Sequence, residues 1–324
     1  MNQKGLILVT GATGFVGAGI VPALIAAGWR VRACGRNIER SPKECEFVRC
    51  DIAEENDFAS LVRGTDAILH LAARVHVMRE TASDPLAEFR RANVDPTARL
   101  AKAAVNHGVK HFIYASSLKV HGEKSGDRPL RELDPLCSDD AYGKSKIEAE
   151  KTLREVASPS AMRSTIFRLP LMYGPGVRGN FHRLARLIAR GVPLPFSLAA
   201  NRRSMLYLGN FCSATLAALH RNITGHETFL LSDDHDVSTA ELVTSIAMAM
   251  GRPARLFPAP ISLLRLAAML GGFGGEIRRL TDSLQVDIGH IRDVLAWSPP
   301  HNFDEGIRQT ILAMPELSFG KDSA

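Results

Sequence analysis

A glycine-rich turn between an apolar run and a helical segment constrains the fold of this chain most. GLILVT (5–10) leads into GATGFVG, which spaces Gly11, Gly14 and Gly17 by three, and VGAGIVPALIAAG then predicts a helix ending at Gly28. WRVRACG follows as a second predicted strand. Tight strand-to-helix turns often use glycine, but within a β-α-β unit such glycines let the backbone approach a pyrophosphate at a helix N-terminus. The pattern therefore predicts a dinucleotide-binding turn.

Strands and helices continue to alternate through the first half of the chain. CEFVRCDI, DAILHLAA and VKHFIYASS predict strands, and a segment from Pro85 to His107 and DDAYGKSKIEAEKTLREVA predict helices. This alternation is typical of an α/β fold with a doubly wound parallel sheet, in which ligands bind beyond the carboxyl ends of the strands. Ser116 and Ser117 lie at such an end. Tyr142 and Lys146, four apart on one helix face, are expected in the same crevice.

Composition indicates a globular protein without membrane insertion. The chain is 45% hydrophobic and 23% charged, and no apolar run approaches the ~20 residues that a membrane span needs. We interpret the N-terminal run as part of the glycine motif and not as a signal peptide. The five cysteines are odd in number and lack the CxxC spacing of metal sites, so we expect reduced thiols, a cytoplasmic location and no metal.

Positive charge is concentrated in one part of the chain. Eleven Lys and Arg residues stand against the single acid Glu155 between Lys151 and Arg221. Such a segment can bind nucleic acid, form a solvated basic face, or bind a small phosphorylated ligand. The cations form no dense run and few aromatic residues separate them, which disfavours nucleic acid.

Several motifs in register resemble the extended short-chain dehydrogenase/reductases. They are GATGFVG, HLAA, Asn93 in ANV, SSLKVHG and YGKSK, followed by RLPLMYGPG (168–176) and RRSMLYLGN (202–210). The resemblance covers most of the chain and is strongest to the nucleotide-sugar epimerase/dehydratase group. It implies a Rossmann domain over 1–170 and a smaller substrate-binding lobe over 171–324, with some segments returning to the Rossmann sheet. It also implies a homodimer formed through the helices around 86–107 and 141–157.

The resemblance assigns roles to individual residues. It makes Ser117, Tyr142 and Lys146 catalytic. An ammonium some 4–5 Å from the phenol is worth about 3–4 kcal/mol, so we expect Lys146 to lower the pKa of Tyr142. The implied cofactor-binding positions are Gly11, Thr13, Gly14, Phe15, Val16, Gly17, Arg36, Asp51, Ile52, Leu71, Ala72, Ala73, Asn93, Tyr142, Lys146 and Pro170. The implied substrate-binding positions are Ser116, Ser117, Asn180 and Arg203.

The end of the second strand bears on the cofactor. NAD-binding members of this fold place an acid there for the ribose 2′-hydroxyl. Here Gly35 takes that position and Arg36 follows. A guanidinium attracts a 2′-phosphate, so the sequence favours NADP(H), with NAD(H) as the alternative.

The reaction is narrowed by the residues after Ser117. Related 4,6-dehydratases carry an Asp-Glu pair where this chain has Leu118 and Lys119, so dehydration is not expected. Arg36 favours a 4-ketoreductase that acts on a nucleotide-linked 4-keto-6-deoxy sugar for surface polysaccharides, and this is the reaction expected first, with an epimerase as the alternative. The overall resemblance favours a UDP-sugar 4-epimerase, although His121 replaces a tyrosine common in that group. A third alternative, a non-catalytic NADP-binding scaffold, is disfavoured because the serine, tyrosine and lysine are all present.

Later segments depart from the regular alternation. NFHRLARLIARG (180–191) predicts a basic amphipathic helix, and IGHIRDVLAWSPP and FDEGIRQTILAMPEL predict closing helices. Met172 and Tyr173 are expected to pack at the pocket floor. SLLRLAAML (262–270) is expected to pack in the core or as a lid in preference to lying on a membrane, and FGKDSA is expected to be a frayed tail.

Overall fold

A seven-stranded parallel sheet forms the centre of the structure, a computed structural model that describes residues 4–41, 43–75, 84–221, 223–271 and 274–317. The strand order is β3-β2-β1-β4-β5-β6-β9. The strands are β1 (Leu6–Thr10), β2 (Arg30–Gly35), β3 (Glu46–Arg49), β4 (Ala67–His70), β5 (His111–Ser117), β6 (Arg163–Leu169) and β9 (His226–Leu230). All five residues of β1 are buried, as an apolar strand covered on both faces requires. The predicted α/β fold is confirmed.

Helices cover both faces of the sheet. On one face, α1 (Phe15–Ala26) packs against α7 (Leu208–His220) over a cluster that includes Ile20 and Phe211. The other face is covered by α2 (Ala59–Val62), α4 (Asp95–Asn106) and α5 (Ala141–Ala157). Parallel strands need this double cover because crossover helices fall on both sides.

The helix predicted from Pro85 to His107 is interrupted. It comprises α3 (Pro85–Phe89), a π-helical turn (Arg90–Val94) and α4. Pro96 lies in the first turn of α4 and has no N–H to donate to the preceding turn, which explains the break. The π turn includes the buried Asn93.

A second lobe is built on a small sheet of β7 (Leu171–Tyr173), β8 (Arg203–Tyr207) and β10 (Asp236–Val237). Its helices are α6 (Gly179–Ala189), α8 (Thr239–Ala249) and α12 (Phe303–Leu312), and α11 (Gly289–Leu295) packs on β9. Tyr173 is fully buried in this lobe and donates a hydrogen bond to Asp233 Oδ2 at 2.7 Å. Tyr173 therefore packs in the core of the lobe.

The helices α9 (Ile261–Leu270) and α10 (Gly274–Thr281) form a hairpin at the second lobe. We expected α9 to pack in the core or as a lid. Ile261 and Leu264 pack against the apolar cluster of that lobe, whereas Leu263, Met269 and Leu270 are 60%, 66% and 80% exposed. Arg265 on α9 donates hydrogen bonds to Thr281 and Asp282 at the end of α10. Polar contacts therefore help to hold the two helices of the hairpin together. Among the described residues no helix combines the length and apolarity needed to cross a bilayer. The tail FGKDSA lies outside the described residues.

Close packing at the start of α1 gives a stability prediction. A Cβ on Gly17 would lie 2.4 Å from the Gly11 carbonyl oxygen, a backbone atom, whereas one on Gly19 would lie 2.5 Å from Leu208 Cδ2, a side-chain atom. Both substitutions to alanine gain the same helix propensity. We expect Gly17→Ala to be less stable than Gly19→Ala by about 1–3 kcal/mol, because the backbone must shift. Urea unfolding of the two variants measures the difference, and equal unfolding free energies would contradict the packing described.

Candidate active site

The glycine turn between β1 and α1 forms a backbone cradle. Gly11 has φ +69°, and a Cβ on it would lie 2.8 Å from the Ala72 nitrogen. Gly14 is the N-cap of α1 and no side chain caps its first turn. Backbone N–H groups at an uncapped helix start attract phosphate, and this turn has no space for side chains. The residues present therefore fit the pyrophosphate of a dinucleotide.

The ends of β2 and β3 form the neighbouring edge of this cradle. A Cβ on Gly35 would approach the Thr13 hydroxyl to 2.9 Å. The Arg36 side chain is 80% exposed, and its Nη1 lies 3.8 Å from Asp51 Oδ2. Ile52, next to Asp51, is buried in the apolar cluster that also contains Cys34. Arg36 and Asp51 thus lie side by side at this edge.

A buried polar chain runs beneath the cradle. The Ala72 N–H donates to Thr10 Oγ1 at 3.2 Å, and Thr10 contacts His70 Nδ1 at 2.6 Å. His70 Nε2 contacts Thr97 Oγ1 at 3.1 Å, and the Thr97 hydroxyl donates to the Asn93 carbonyl. Burial lowers the pKa of His70 to about 3, so the ring is neutral. It donates through Nε2 and accepts through Nδ1, which satisfies every group in the chain.

Asn93 joins the loop after β4 to the helix α5. Its Oδ1 accepts from the Arg74 N–H at 2.7 Å, and its Nδ2 donates to the Arg74 carbonyl and to Ser145 Oγ at 3.0 Å. The side chain is 1% exposed. Asn93 therefore holds the loop that carries the predicted positions Leu71, Ala72 and Ala73, with its own polar atoms occupied by protein groups.

Lys146 is buried at the end of β5. Its Nζ donates to the Tyr114 hydroxyl at 2.8 Å and to the Ala115 carbonyl at 2.7 Å. Burial lowers the pKa of Lys146 to about 7, and the negative charge of Glu150 opposes that shift. Since a buried ammonium is stable only when paired, these three partners determine how much charge the amine carries.

Tyr142 lies beside Ser117, as the sequence predicts, but its ionisation differs from the expectation. Burial raises the pKa of Tyr142 to about 12, and a hydrogen bond with Ser117 opposes the rise. We expected Lys146 to lower this pKa, and for the protein alone that was wrong. The amine is held by Tyr114 and Ala115 instead, and burial of the phenol outweighs the attraction.

The two adjacent serines face different surroundings. The Ser116 hydroxyl is buried and donates to Glu150 Oε1 at 2.5 Å, whereas Ser117 faces a cavity. Successive side chains of a strand point to opposite faces. The substrate contact expected of Ser116 is therefore not what its side chain makes. Ser116 instead supports Glu150 on the helix that carries Tyr142 and Lys146.

Glu150 belongs to a buried ionic network. Arg168 donates to Glu150 through Nε and Nη2, at 3.1 and 2.8 Å to separate oxygens. Arg168 Nη1 also contacts His121 Nε2 at 2.9 Å. An arginine only donates, so His121 accepts through Nε2 and carries its proton on Nδ1, which faces the Pro135 carbonyl at 3.1 Å. His121, placed where related epimerases have a tyrosine, thus stabilises the loop between β5 and α5.

A cavity of about 570 Å³ opens in front of these residues. Five predicted site residues line it: Ser117, Tyr142, Pro170, Asn180 and Arg203. Arg183 and Arg279 also line it, together with an apolar wall of Leu118, Leu169, Leu184, Phe196, Ile277 and Leu284. Arg203 is partly buried, and its Nη1 donates to the Asp282 carbonyl at 3.1 Å. The volume suits a small ligand, and the arginines suit an anion.

Four supporting residues were missed in the sequence: Tyr114, His70, Glu150 and Arg168. Glu150 is four residues after Lys146, so helical spacing alone places it on the same face. Tyr114 and His70 lie inside apolar strands, where a single polar residue is a detectable signal. Arg168 gives no local signal of its partner.

Residues 7–231 match the sequence model of the NAD dependent epimerase/dehydratase family. A UDP-glucose 4-epimerase of Vibrio cholerae is 39% identical over 310 residues, which cover 95% of this chain and 94% of that protein. An N-acetyl-alpha-D-glucosaminyl-diphospho-ditrans,octacis-undecaprenol 4-epimerase of Escherichia coli O157:H7 is 28% identical and covers 86% of this chain and 80% of its own length.

A solved structure shares the fold. MoeE5 in complex with UDP-glucuronic acid and NAD has a TM-score of 0.78 and 25% identity, over 96% of this chain and 99% of that chain.

The buried amine of Lys146 predicts that the free energy of unfolding depends on pH. The pKa of Lys146 falls from 10.5 to about 7 on folding, so the unfolded chain binds more protons between these values and stability rises with pH. We expect the unfolding free energy of wild type, relative to Lys146→Met, to increase by about 2 kcal/mol from pH 7 to pH 9. Urea unfolding at pH 7, 8 and 9 measures it. Lys144→Met, on the exposed side of α5, should keep the wild-type slope, and equal slopes for wild type and Lys146→Met would refute the burial effect.

Proposed function

Since the chain belongs to the NAD dependent epimerase/dehydratase family, we propose that it transfers hydride at C4 of a UDP-linked hexose as a 4-epimerase. The observation that carries this proposal is the pair of Ser117 and Tyr142 at the cavity, with buried Lys146 one helix turn away. The similarity to a UDP-glucose 4-epimerase over nearly the whole chain supports the substrate class.

Tyr142 is the proton acceptor in this proposal. It removes the proton of the C4 hydroxyl and returns it to the product, while Ser117 donates a hydrogen bond to the same oxygen. A nicotinamide dinucleotide held by the glycine turn after β1 would supply the hydride chemistry at C4 when bound. Because the pKa of Tyr142 is about 12 in the protein alone, proton removal near neutral pH requires more positive charge nearby. Glu150 serves this by favouring the charged form of Lys146.

The arginines around the cavity are assigned to the diphosphate. Arg203 reaches the cavity from β8 and Arg183 from α6, while Arg279 reaches it from α10. Burial lowers the pKa of Arg203, so a nearby anion would stabilise its charge. Asn180 is assigned to the sugar or its nucleotide, as the family resemblance implies. The basic excess of the second half is consistent with this ligand.

A 4-ketoreductase is the second candidate, and Arg36 favours it. Its guanidinium is exposed at the edge assigned to the ribose, and Gly35 offers no carboxylate to repel a 2′-phosphate. NADPH is the usual reductant for synthesis, and the apolar wall suits a 6-deoxy sugar.

Dehydration is not supported: Leu118 is buried, and Lys119 is held by Asp140 at 2.8 Å and Glu123 at 3.1 Å. The homodimer, the cytoplasmic location and the division at residue 170 stay predictions.

Interconversion without added reductant tests the leading proposal. We expect the purified chain to convert UDP-galactose to UDP-glucose in the presence of NAD, without net formation of NADH. Chromatographic separation of the two UDP-hexoses measures the conversion. Tyr142→Phe should lower turnover by about 10²- to 10⁴-fold and leave dinucleotide binding intact. The parallel assay adds NADPH and a UDP-linked 4-keto-6-deoxy sugar. If NADPH is oxidised stoichiometrically in that assay and the UDP-hexoses are not interconverted, the epimerase proposal is rejected in favour of the ketoreductase.

Cofactor preference is tested at Arg36. Reversing its charge places a carboxylate beside any 2′-phosphate, so Arg36→Glu should weaken NADPH binding by about tenfold or more relative to NADH, which corresponds to about 1.4 kcal/mol. Fluorescence titration with each dinucleotide measures this. Arg40→Glu, an equal charge change at another exposed position, is the control and should affect both alike. An equal loss for both dinucleotides in Arg36→Glu would reject the role of Arg36.

A further inference from the structure

Two thiols meet at the edge of the sheet beside the cradle. Cys34 is fully buried in β2, and Cys50 is partly exposed, one residue beyond the end of β3. The register pairs Cys34 with Val48, so Cys34 and Cys50 lie on the same side of the sheet, and both pack into one apolar cluster. Cys34 Sγ lies 4.0 Å from the Cys50 carbonyl oxygen, and the two thiols are close enough for each to shift the pKa of the other.

The two thiols differ in reactivity. The interaction with the Cys34 thiol lowers the pKa of Cys50, while that interaction and burial raise the pKa of Cys34. An accessible thiol that ionises readily is the nucleophile in oxidation, and a neighbouring thiol can resolve the product if it gives up its proton during the attack. Cys50 has the first set of properties and Cys34 the second. The proposed hydride transfer uses neither residue.

We propose that Cys34 and Cys50 form a reversible oxidation site that closes to a disulfide in the presence of a peroxide. The Cys50 thiolate attacks one peroxide oxygen, breaks the O–O bond and becomes a sulfenic acid, with one water released after protonation. The Cys34 sulfur then attacks the Cys50 sulfur while its proton passes to the sulfenic hydroxyl, so the S–O bond breaks, the S–S bond forms and the second water leaves. The two thiols lose two electrons in total, and the peroxide is reduced to two waters.

Closure of this bond acts on the dinucleotide edge. Cys34 directly precedes Gly35 and Arg36, and Cys50 directly precedes Asp51. Cys50 lies one residue beyond the paired part of β3, and its N–H donates to the Gly35 carbonyl at 3.0 Å, so a shift of Cys50 toward Cys34 strains this contact beside Arg36. Its shift carries Asp51, which lies 3.8 Å from Arg36. We therefore expect the oxidised protein to bind NAD or NADP several-fold more weakly.

Peptide mapping tests the bond itself. Trypsin separates the two cysteines into ACGR (33–36) and CDIAEENDFASLVR (50–63), with Cys45 in a third peptide, ECEFVR (44–49). The folded chain is treated with hydrogen peroxide, its remaining thiols are alkylated, and it is then digested with trypsin. The first two peptides should appear as one disulfide-linked species, and dithiothreitol should separate them. Cys34→Ser and Cys50→Ser should abolish the joined species, and Cys45→Ser should retain it. Irreversible oxidation of Cys50 alone, or linkage to Cys45 or Cys137, would overturn the proposal.

Dinucleotide titration of reduced and oxidised protein tests the coupling without any measurement of turnover. Wild-type protein that carries the Cys34–Cys50 disulfide should bind the dinucleotide several-fold more weakly, and dithiothreitol should restore its affinity. Peroxide-treated Cys34→Ser should keep the affinity of its untreated form. Unchanged affinity in fully joined wild type would overturn the assignment of this site to the dinucleotide edge. Peptide mapping and dinucleotide titration do not measure turnover, so they can contradict the oxidation site whether or not the chain is an epimerase.

Discussion

The buried amine of Lys146 is the interaction on which the arrangement of the site depends. Taking an ammonium from water into a protein interior costs several kcal/mol unless polar groups surround it. The Tyr114 hydroxyl and the Ala115 carbonyl provide those groups. Both belong to β5, so satisfying the amine fixes α5 against the end of that strand. The same contact places Tyr142, one turn earlier on α5, beside Ser117 at the end of β5.

Two buried polar systems support that contact from different sides. The neutral His70 joins Thr10 at the end of β1 to Thr97 on α4, and the ion pair of Glu150 and Arg168 joins α5 to β6. Polar groups inside a protein have few alternative partners, so a satisfied network favours one arrangement of its elements. The reacting side chains are thus positioned by hydrogen bonds in the core as well as by the loops around the cavity.

Local patterns explain why much of the structure was predictable from the sequence. The glycine turn, the parallel strands and the helix carrying Tyr142 and Lys146 each have a short-range signature, and the family resemblance ordered them. The side chain of Ser116 was misplaced because it was grouped with Ser117, although strand alternation separates them. The pKa of Tyr142 was misjudged because it depends on burial by distant segments. The exposure of α9 had no local signal, since its apolar residues have the spacing of a covered helix.

The return of β9 to the main sheet links the two lobes in folding. The chain leaves that sheet after β6, forms β7, α6, β8 and α7, and then places β9 beside β6. Without β9, strand β6 would become an edge with unpaired backbone groups, which promotes aggregation. Neither lobe is therefore a continuous stretch of sequence, and no single cut separates them. The molecule should melt as one cooperative unit.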